Sequence, residues 1–295
     1  MRVNPNPAPD LLSALEHTQQ QINSDLQQIA SGQSVNVPSD NPAAAAMMVR
    51  NAGQTAEADQ FLRSISSVQG EMQNADSTLS SVVTTLQRAI TLGVQGANGT
   101  LNPTDRAAIA EEVKGIQSQL LSLANLSYQG NFVFAGTATQ TPPYVLDASS
   151  ASGVRYVGND ITNNITVGDH LSLQTNMPGS QLFSAPGHDI FQAVQDLITG
   201  LQSGTGIDTA TTAISSAYGN LTTQRVFYGN AINQLSSQQT YLNNETTQLA
   251  QQQNTIGGAD MAAVISNLTS TQTSREATLA AMGRIGQSNL FDYLK

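Results

Sequence analysis

Residues 61–86 read FLRSISSVQGEMQNADSTLSSVVTTL. Phe61, Ile65, Val68, Met72, Ala75, Leu79, Val82 and Leu86 recur in this stretch at alternating steps of four and three. That spacing is the apolar seam of a coiled-coil helix, whereas a half-buried strand would alternate every second residue. Working outward, Asn41-Pro42 supplies a helix start, with Asn as N-cap and Pro at the first helical position. The stop lies in residues 93–99, which hold three glycines and an Asn-Gly pair. About 50 residues at 1.5 Å each predict a rod on the order of 75–80 Å long.

Past a turn over residues 98–105 the pattern returns at Ile109, Val113, Ile116, Leu120 and Leu123. The short connection predicts a helix folded back antiparallel on the first. A third seam lies downstream, where Ile214, Leu221, Tyr228, Leu235, Leu242 and Leu249 stand seven residues apart. Its second row is small or polar: Ala217, Gln224, Ala231 and Gln238. A shorter helix, residues 189–201, precedes it. Between these helices Gly, Pro, Asn and Thr rise, and period-two runs appear at residues 132–134, 154–157, 161–167 and 171–173.

The two ends mirror each other. Leu15, Ile22, Leu26 and Ile29 form one helical stripe; Met261, Ile265, Leu268, Leu279 and Met282 form another. Breakers at residues 32–42 and 256–260 set them off from the rod. Helices this polar need a partner surface. Pairing with each other and pairing with neighbouring copies both supply one, and the reading favours neighbouring copies. The expected fold is therefore mainly α: a long antiparallel helical rod built from both chain halves, with a small inserted β-rich domain and terminal helical arms. The expected boundaries are 1–42 for the N-terminal arm, 43–128 and 188–255 for the two halves of the rod, 129–187 for the insert and 256–295 for the C-terminal arm. Nested in this order, the chain runs outward and returns.

Composition narrows the function. The chain has 295 residues and a formal charge of −10, with 11% charged residues and no Cys or Trp. Zero Cys excludes a disulfide framework, a zinc ribbon and an iron–sulfur site. No apolar run approaches the ~18 residues of a membrane span. The N-terminal residues lack the apolar stretch of a cleavable secretory signal. The Lys and Arg residues are scattered, which argues against a nucleic-acid surface.

A search for chemistry finds no nucleophile elbow, phosphate loop or dinucleotide fingerprint. His17, His170 and His188 have no helical partner of ligand type and read as solvated surface residues. Glu111-Glu112 reads as a solvated pair near a helix N-terminus. The six Asn-x-Ser/Thr sequons are coincidental in a chain this rich in Asn, Ser and Thr. No catalytic residue, cofactor or metal ligand is expected.

Several stretches carry a resemblance in their order along the chain. Ile29-Ala30-Ser31-Gly32-Gln33 followed by Val37-Pro38-Ser39-Asp40-Asn41-Pro42-Ala43-Ala44 resembles a signature of the flagellin superfamily, with Gln33 and Asn41 in place of the common Lys and Asp. Gly130-Asn131-Phe132-Val133-Phe134-Ala135-Gly136 with Pro142-Pro143-Tyr144 is similar to a pair found in the hook-associated members that join hook to filament, the FlgL type. Tyr156-x-Gly158-Asn159, Asn176-Met177-Pro178-Gly179 and the closing Leu290-Phe291-Asp292-Tyr293-Leu294 fit as well. Filament flagellins usually carry Asp-Asp-Ala-Ala-Gly where this chain has residues 39–43, which favours the junction type.

The resemblance implies a structural subunit, exported unfolded by the flagellar type III system without a cleaved signal and located outside the cell. It implies self-assembly into a ring between the first hook-associated protein (FlgK type) and flagellin, with help from an export chaperone. It also implies arms that order against neighbours. The residues expected in interchain packing are Leu15, Ile22, Leu26, Ile29, Leu268, Leu279, Met282, Leu290 and Leu294. Alternatives are a minor flagellin, a chemoreceptor-like signalling module, disfavoured by the insert and the missing membrane span, and an enzyme housed in residues 129–187.

Overall fold

The computed structural model describes residues 8–169 and 171–291. The elements in chain order are α1 (Ala8–Ser31), α2 (Pro42–Gly96), α3 (Pro103–Ala124), β1 (Ser127–Tyr128), β2 (Asn131–Phe132), β3 (Tyr144–Leu146), β4 (Val154–Tyr156), β5 (Asn164–Gly168), β6 (Leu171–Gln174), α4 (Gly179–Leu182), β7 (Ser184–Ala185), β8 (His188–Asp189), α5 (Ile190–Ser203), α6 (Ile207–Gly257) and α7 (Met261–Phe291). The fold is mainly α, with small β hairpins in the middle. Two compact units are present. One is Ala58–Asn243; the other comprises the described residues up to Glu57 and from Asn244 onward.

In the Ala58–Asn243 unit the seam that opens the sequence is the core. Ile65, Met72, Ala75, Leu79, Val82 and Leu86 are buried, while Phe61 and Val68 pack at its margin. Ile109, Val113, Ile116 and Leu120 of α3 are buried, and so are Ile214, Leu221, Tyr228, Leu235 and Leu242 of α6. Helix starts follow local chemistry. The Asn41 side chain accepts a bond from the Ala44 N–H (3.1 Å), Asn102 caps Asp105 (2.8 Å), and Asp189 caps Gln192 (2.9 Å). Polar ties fix neighbouring helices. Arg225 donates twice to Asp76, at 2.6 and 2.9 Å, and Arg88 donates to Glu112. Gln117 bonds to Gln195 at 3.1 Å.

The small β insert expected from the sequence is present in the middle of the chain. Its strands form four separate antiparallel pairs, β1–β2, β3–β4, β5–β6 and β7–β8, each two strands wide. Aromatic packing gathers the β3–β4 pair, whereas β5–β6 carries no aromatic side chain and is tied to α6 by Gln238, which donates to the Val167 carbonyl at 2.9 Å. Tyr144 lies 5.1 Å from Tyr156 and 5.0 Å from Phe191 between ring centroids, and Phe134 meets Phe183 edge-on at 5.2 Å. The run at residues 132–134 leaves its strand after Phe132, because Val133 and Phe134 turn into this cluster. Asn125, at the end of α3, ties the cluster to the rod. Its side chain accepts from the Tyr144 N–H and donates to the Tyr144 carbonyl, both at 2.8 Å. Gly179 donates its N–H to the Phe134 carbonyl, and a Cβ there would stand 2.9 Å from the Tyr144 ring. Only glycine permits that approach.

Candidate assembly interface

The two breakers seen in the sequence meet in one joint. The Ala259 N–H donates to the Gly32 carbonyl (3.0 Å) and the Ser34 N–H to the Gly257 carbonyl (2.7 Å), around an antiparallel bridge between Gln33 and Gly258. Gly32 takes φ +69°, the left-handed conformation that ends α1 without a Cβ penalty. Asp40 steadies the loop by accepting the N–H groups of Asn36 and Val37, both at 2.9 Å. The clasp starts α7 beside the end of α1, so the two arm helices pack antiparallel within the chain.

Their shared seam is narrow. From α1 it takes Leu11, Leu15, Thr18, Ile22, Asp25 and Ile29; from α7 it takes Val264, Leu268, Thr271, Thr278 and Met282. Only Ile22, Asp25 and Val264 are buried, and the others are half-buried. Asp25 is 2% exposed, and Gln21 donates to its Oδ1 (3.1 Å) while Oδ2 has no partner. A seam containing Thr and an incompletely bonded carboxylate gains less from burial than the all-apolar seam of α2.

The residues expected in packing between copies divide here. Ile22 is buried inside the hairpin, whereas Leu15, Ile29, Leu268 and Met282 are half-buried in its seam. Leu26 and Leu279 stand out in solvent, joined by Leu12 and Ile265. Leu290 belongs to α7, with its side chain outside the described residues, and Leu294 lies outside them entirely. Periodicity alone missed Thr18, Asp25, Thr271 and Thr278. Their signal is a seven-residue spacing from Leu11 and Val264, which apolar counting does not register.

Hydroxyls on these helices are largely self-bonded. Thr269, Thr271, Thr273, Ser274 and Thr278 each donate to the carbonyl four residues earlier. Such a surface can be covered without stranding a donor. Elsewhere, His188 Nδ1 lies 2.9 Å from Ser216 Oγ, so this histidine is bonded and partly covered rather than freely solvated. His17 lies on α1, and His170 is outside the described residues. Among the described residues no three His, Asp or Glu side chains group as a metal site, and no helix is long and apolar enough to cross a membrane.

Two family profiles match the chain: the bacterial flagellin N-terminal helical region over residues 4–139 and the bacterial flagellin C-terminal helical region over residues 211–294. The chain is 26% identical to flagellar hook-associated protein 3 of Escherichia coli K12, over 91% of this chain and 92% of that protein. Its fold is similar to that of a flagellar hook-associated protein from Vibrio parahaemolyticus, with a TM-score of 0.67 at 21% identity, covering 74% of this chain and 99% of that one. It is also similar to the flagellar junction protein FlgL from Legionella pneumophila, with a TM-score of 0.62 at 16% identity, covering 72% and 100%. With helical regions matched on both sides of the insert, the chain belongs to the flagellin family.

Proposed function

We propose that this protein is a structural adaptor at the hook–filament junction of the bacterial flagellum, needed for filament assembly and motility. The observation that carries this reading is the end-to-end similarity to a hook-associated protein 3, which spans nearly the full length of both chains. The physical chemistry agrees with a passive scaffold. The core is a set of long seams, and the arm hairpin has a thin seam and self-bonded hydroxyls suited to further packing. The partners of this role are further copies in a ring, the first hook-associated protein on the hook side, flagellin on the filament side and an export chaperone before assembly. Residues 1–42 and 256–295 act as assembly arms, residues 43–128 and 188–255 as the rod, and residues 129–187 as the insert. The protein works outside the cell after export through the flagellar type III channel, without enzymatic activity or cofactor.

Deleting the gene tests the reading. The expected cells carry complete hooks without filaments and release flagellin into the medium. Normal filaments on the deletion strain refute the junction role. Filaments formed by the purified protein alone point instead to a flagellin.

A further inference from the structure

The chain contains one Asn-Gly pair, Asn98-Gly99, in the turn that joins α2 to α3. The Leu101 N–H closes this turn by donating to the Asn98 carbonyl at 3.0 Å. Asn98, Gly99 and Thr100 are all exposed. The Asn98 side chain folds back over the turn. Its Oδ1 accepts the Thr100 N–H at 3.1 Å and the Thr100 hydroxyl at 2.9 Å. The ring closed by the first of these bonds contains both Asn98 Cγ and the Gly99 nitrogen. The turn therefore holds an electrophilic carbon and an amide nitrogen of adjacent residues on one side of the chain. A bond between them closes a succinimide ring.

Each group that this closure needs is in place and unobstructed. The Gly99 N–H donates to no acceptor among the described residues, and a Cβ at Gly99 would meet nothing within 4 Å, so the nucleophile is open to solvent. The two Thr100 donors already stand at hydrogen-bond distance from Oδ1, where negative charge develops as the nitrogen adds. Asn98 Nδ2, the leaving group, donates to nothing among the described residues. Other asparagines lack one or more of these features. Asn159 Nδ2 is held by Thr137 Oγ1 at 2.8 Å, and Asn125 is held through both side-chain atoms by the Tyr144 backbone. Asn23 lies within α1, where the N–H that follows it belongs to the helix. Asn102 precedes Pro103, whose nitrogen carries no hydrogen.

We propose that Asn98 is a self-modification site, converted by its own turn into aspartyl and isoaspartyl residues without an enzyme. Hydroxide or water removes the Gly99 amide proton, the nitrogen bonds to Asn98 Cγ, and the Cγ–Nδ2 bond breaks as Nδ2 takes up a proton and leaves as ammonia. Water then opens the succinimide at either carbonyl. Opening at Cγ leaves an aspartate. Opening at the backbone carbonyl leaves the chain running through Cγ, an isoaspartyl link. Either product exchanges a neutral amide for a carboxylate. The isoaspartyl form also adds a methylene to the backbone of the turn and removes the amide carbonyl that accepts the Leu101 N–H. The α2–α3 turn thus records the age of each copy in charge and in geometry. Only the turn and water take part, so the chemistry is independent of the junction role.

The test incubates the full-length chain in neutral buffer, cleaves it after Arg88 and Arg106 with trypsin, and follows the peptide 89–106 by mass spectrometry. Fragmentation assigns the mass gain to residue 98 or residue 102, and isoaspartyl methyltransferase measures the isoaspartyl share. Conversion is expected at residue 98, none at Asn102, and slower conversion at Asn159. The folded chain is expected to convert residue 98 about fivefold faster than the same chain unfolded in guanidinium chloride, the net effect of one hydrogen bond. Thr100→Val keeps the side-chain shape, removes the hydroxyl donor and loses that excess, while matching the unmodified chain when both are unfolded. Gly99→Ala slows conversion about tenfold, because a Cβ narrows the backbone angles through which the nitrogen reaches Cγ. Both substitutions fall at exposed turn positions, and circular dichroism checks that the helices are retained. Equal or slower conversion in the folded chain shows that the turn protects Asn98 and overturns the proposal. A rate unchanged by Thr100→Val in the folded chain, a rate unchanged by Gly99→Ala, or conversion at residue 98 no faster than at Asn159 overturns it as well.

Discussion

Gly93→Ala probes how closely the long helices approach. Gly93 sits in α2 against Thr211 of α6, and an ideal Cβ at residue 93 overlaps Thr211 Oγ1 and stands 3.1 Å from its Cγ2. Thr211 has little freedom to yield. It is buried and β-branched within a helix, and its hydroxyl donates to the Ile207 carbonyl at 2.7 Å. Replacing a helical Gly by Ala gains about 1 kcal/mol of intrinsic propensity. Overpacking a rigid core contact costs about 1–3 kcal/mol, and the fixed rotamer of Thr211 puts this site near the upper end. The net expectation is a loss of about 1–2 kcal/mol, read by calorimetry as a fall in Tm of about 3–6 °C. In a Thr211→Ala background Oγ1 and Cγ2 are gone and the nearest remaining Thr211 atom is Cβ, 3.2 Å away. There Gly93→Ala becomes neutral or stabilising by up to about 1 kcal/mol, a coupling of about 2 kcal/mol. Stabilisation by Gly93→Ala in the unmodified chain, or an equal cost in both backgrounds, refutes the close-approach reasoning.

Three further outcomes are expected. Arg225→Ala removes a two-pronged, part-buried pair with Asp76 and lowers stability by about 1 kcal/mol, and a double-mutant cycle with Asp76→Ala returns a coupling of similar size that salt weakens. Burial raises the pKa of Glu71 above its ordinary 4.5, so the native state carries a charge penalty that is present at neutral pH and vanishes as the pH falls below that value. Glu71→Gln therefore raises Tm at pH 7, and a difference that persists undiminished in acid counts against desolvation as the cause. In dilute full-length chain, amides of α1 and α7 exchange faster than those of α2 between Ile65 and Leu92, because the arm seam buries few apolar side chains. Equal protection, measured by hydrogen exchange with mass spectrometry, contradicts the thin-seam account.

Much of the rod is legible from residues alone. The four-and-three row from Phe61 to Leu86, the seven-residue row from Ile214 to Leu249 and the Asn41-Pro42 start each specify a helix, and its buried face where the row is clean. A long helix repeats its pattern often enough for one phase to win. The insert is less legible. The period-two runs mark strands at residues 154–156, 164–168 and 171–174, but nothing local says that the strands pair only two by two. The β3–β4 pair packs on the aromatic cluster of Phe134, Tyr144, Phe183 and Phe191, whose members lie up to 57 residues apart, and β5–β6 is tied to Gln238 of α6, 71 residues downstream of Val167.

The arms show where local reading ends. Along α1, Leu12, Leu15, Ile22, Leu26 and Ile29 satisfy helical spacing in two competing phases, and composition does not rank them. Periodicity therefore establishes that an amphipathic helix exists in each arm. Burial of Ile22 and exposure of Leu26 follow from the clasp between Gly32 and Ala259, which joins residues more than two hundred positions apart. A helix's own pattern sets the angles between its side chains, but only a partner brought in from elsewhere in the chain selects which of those angles points inward.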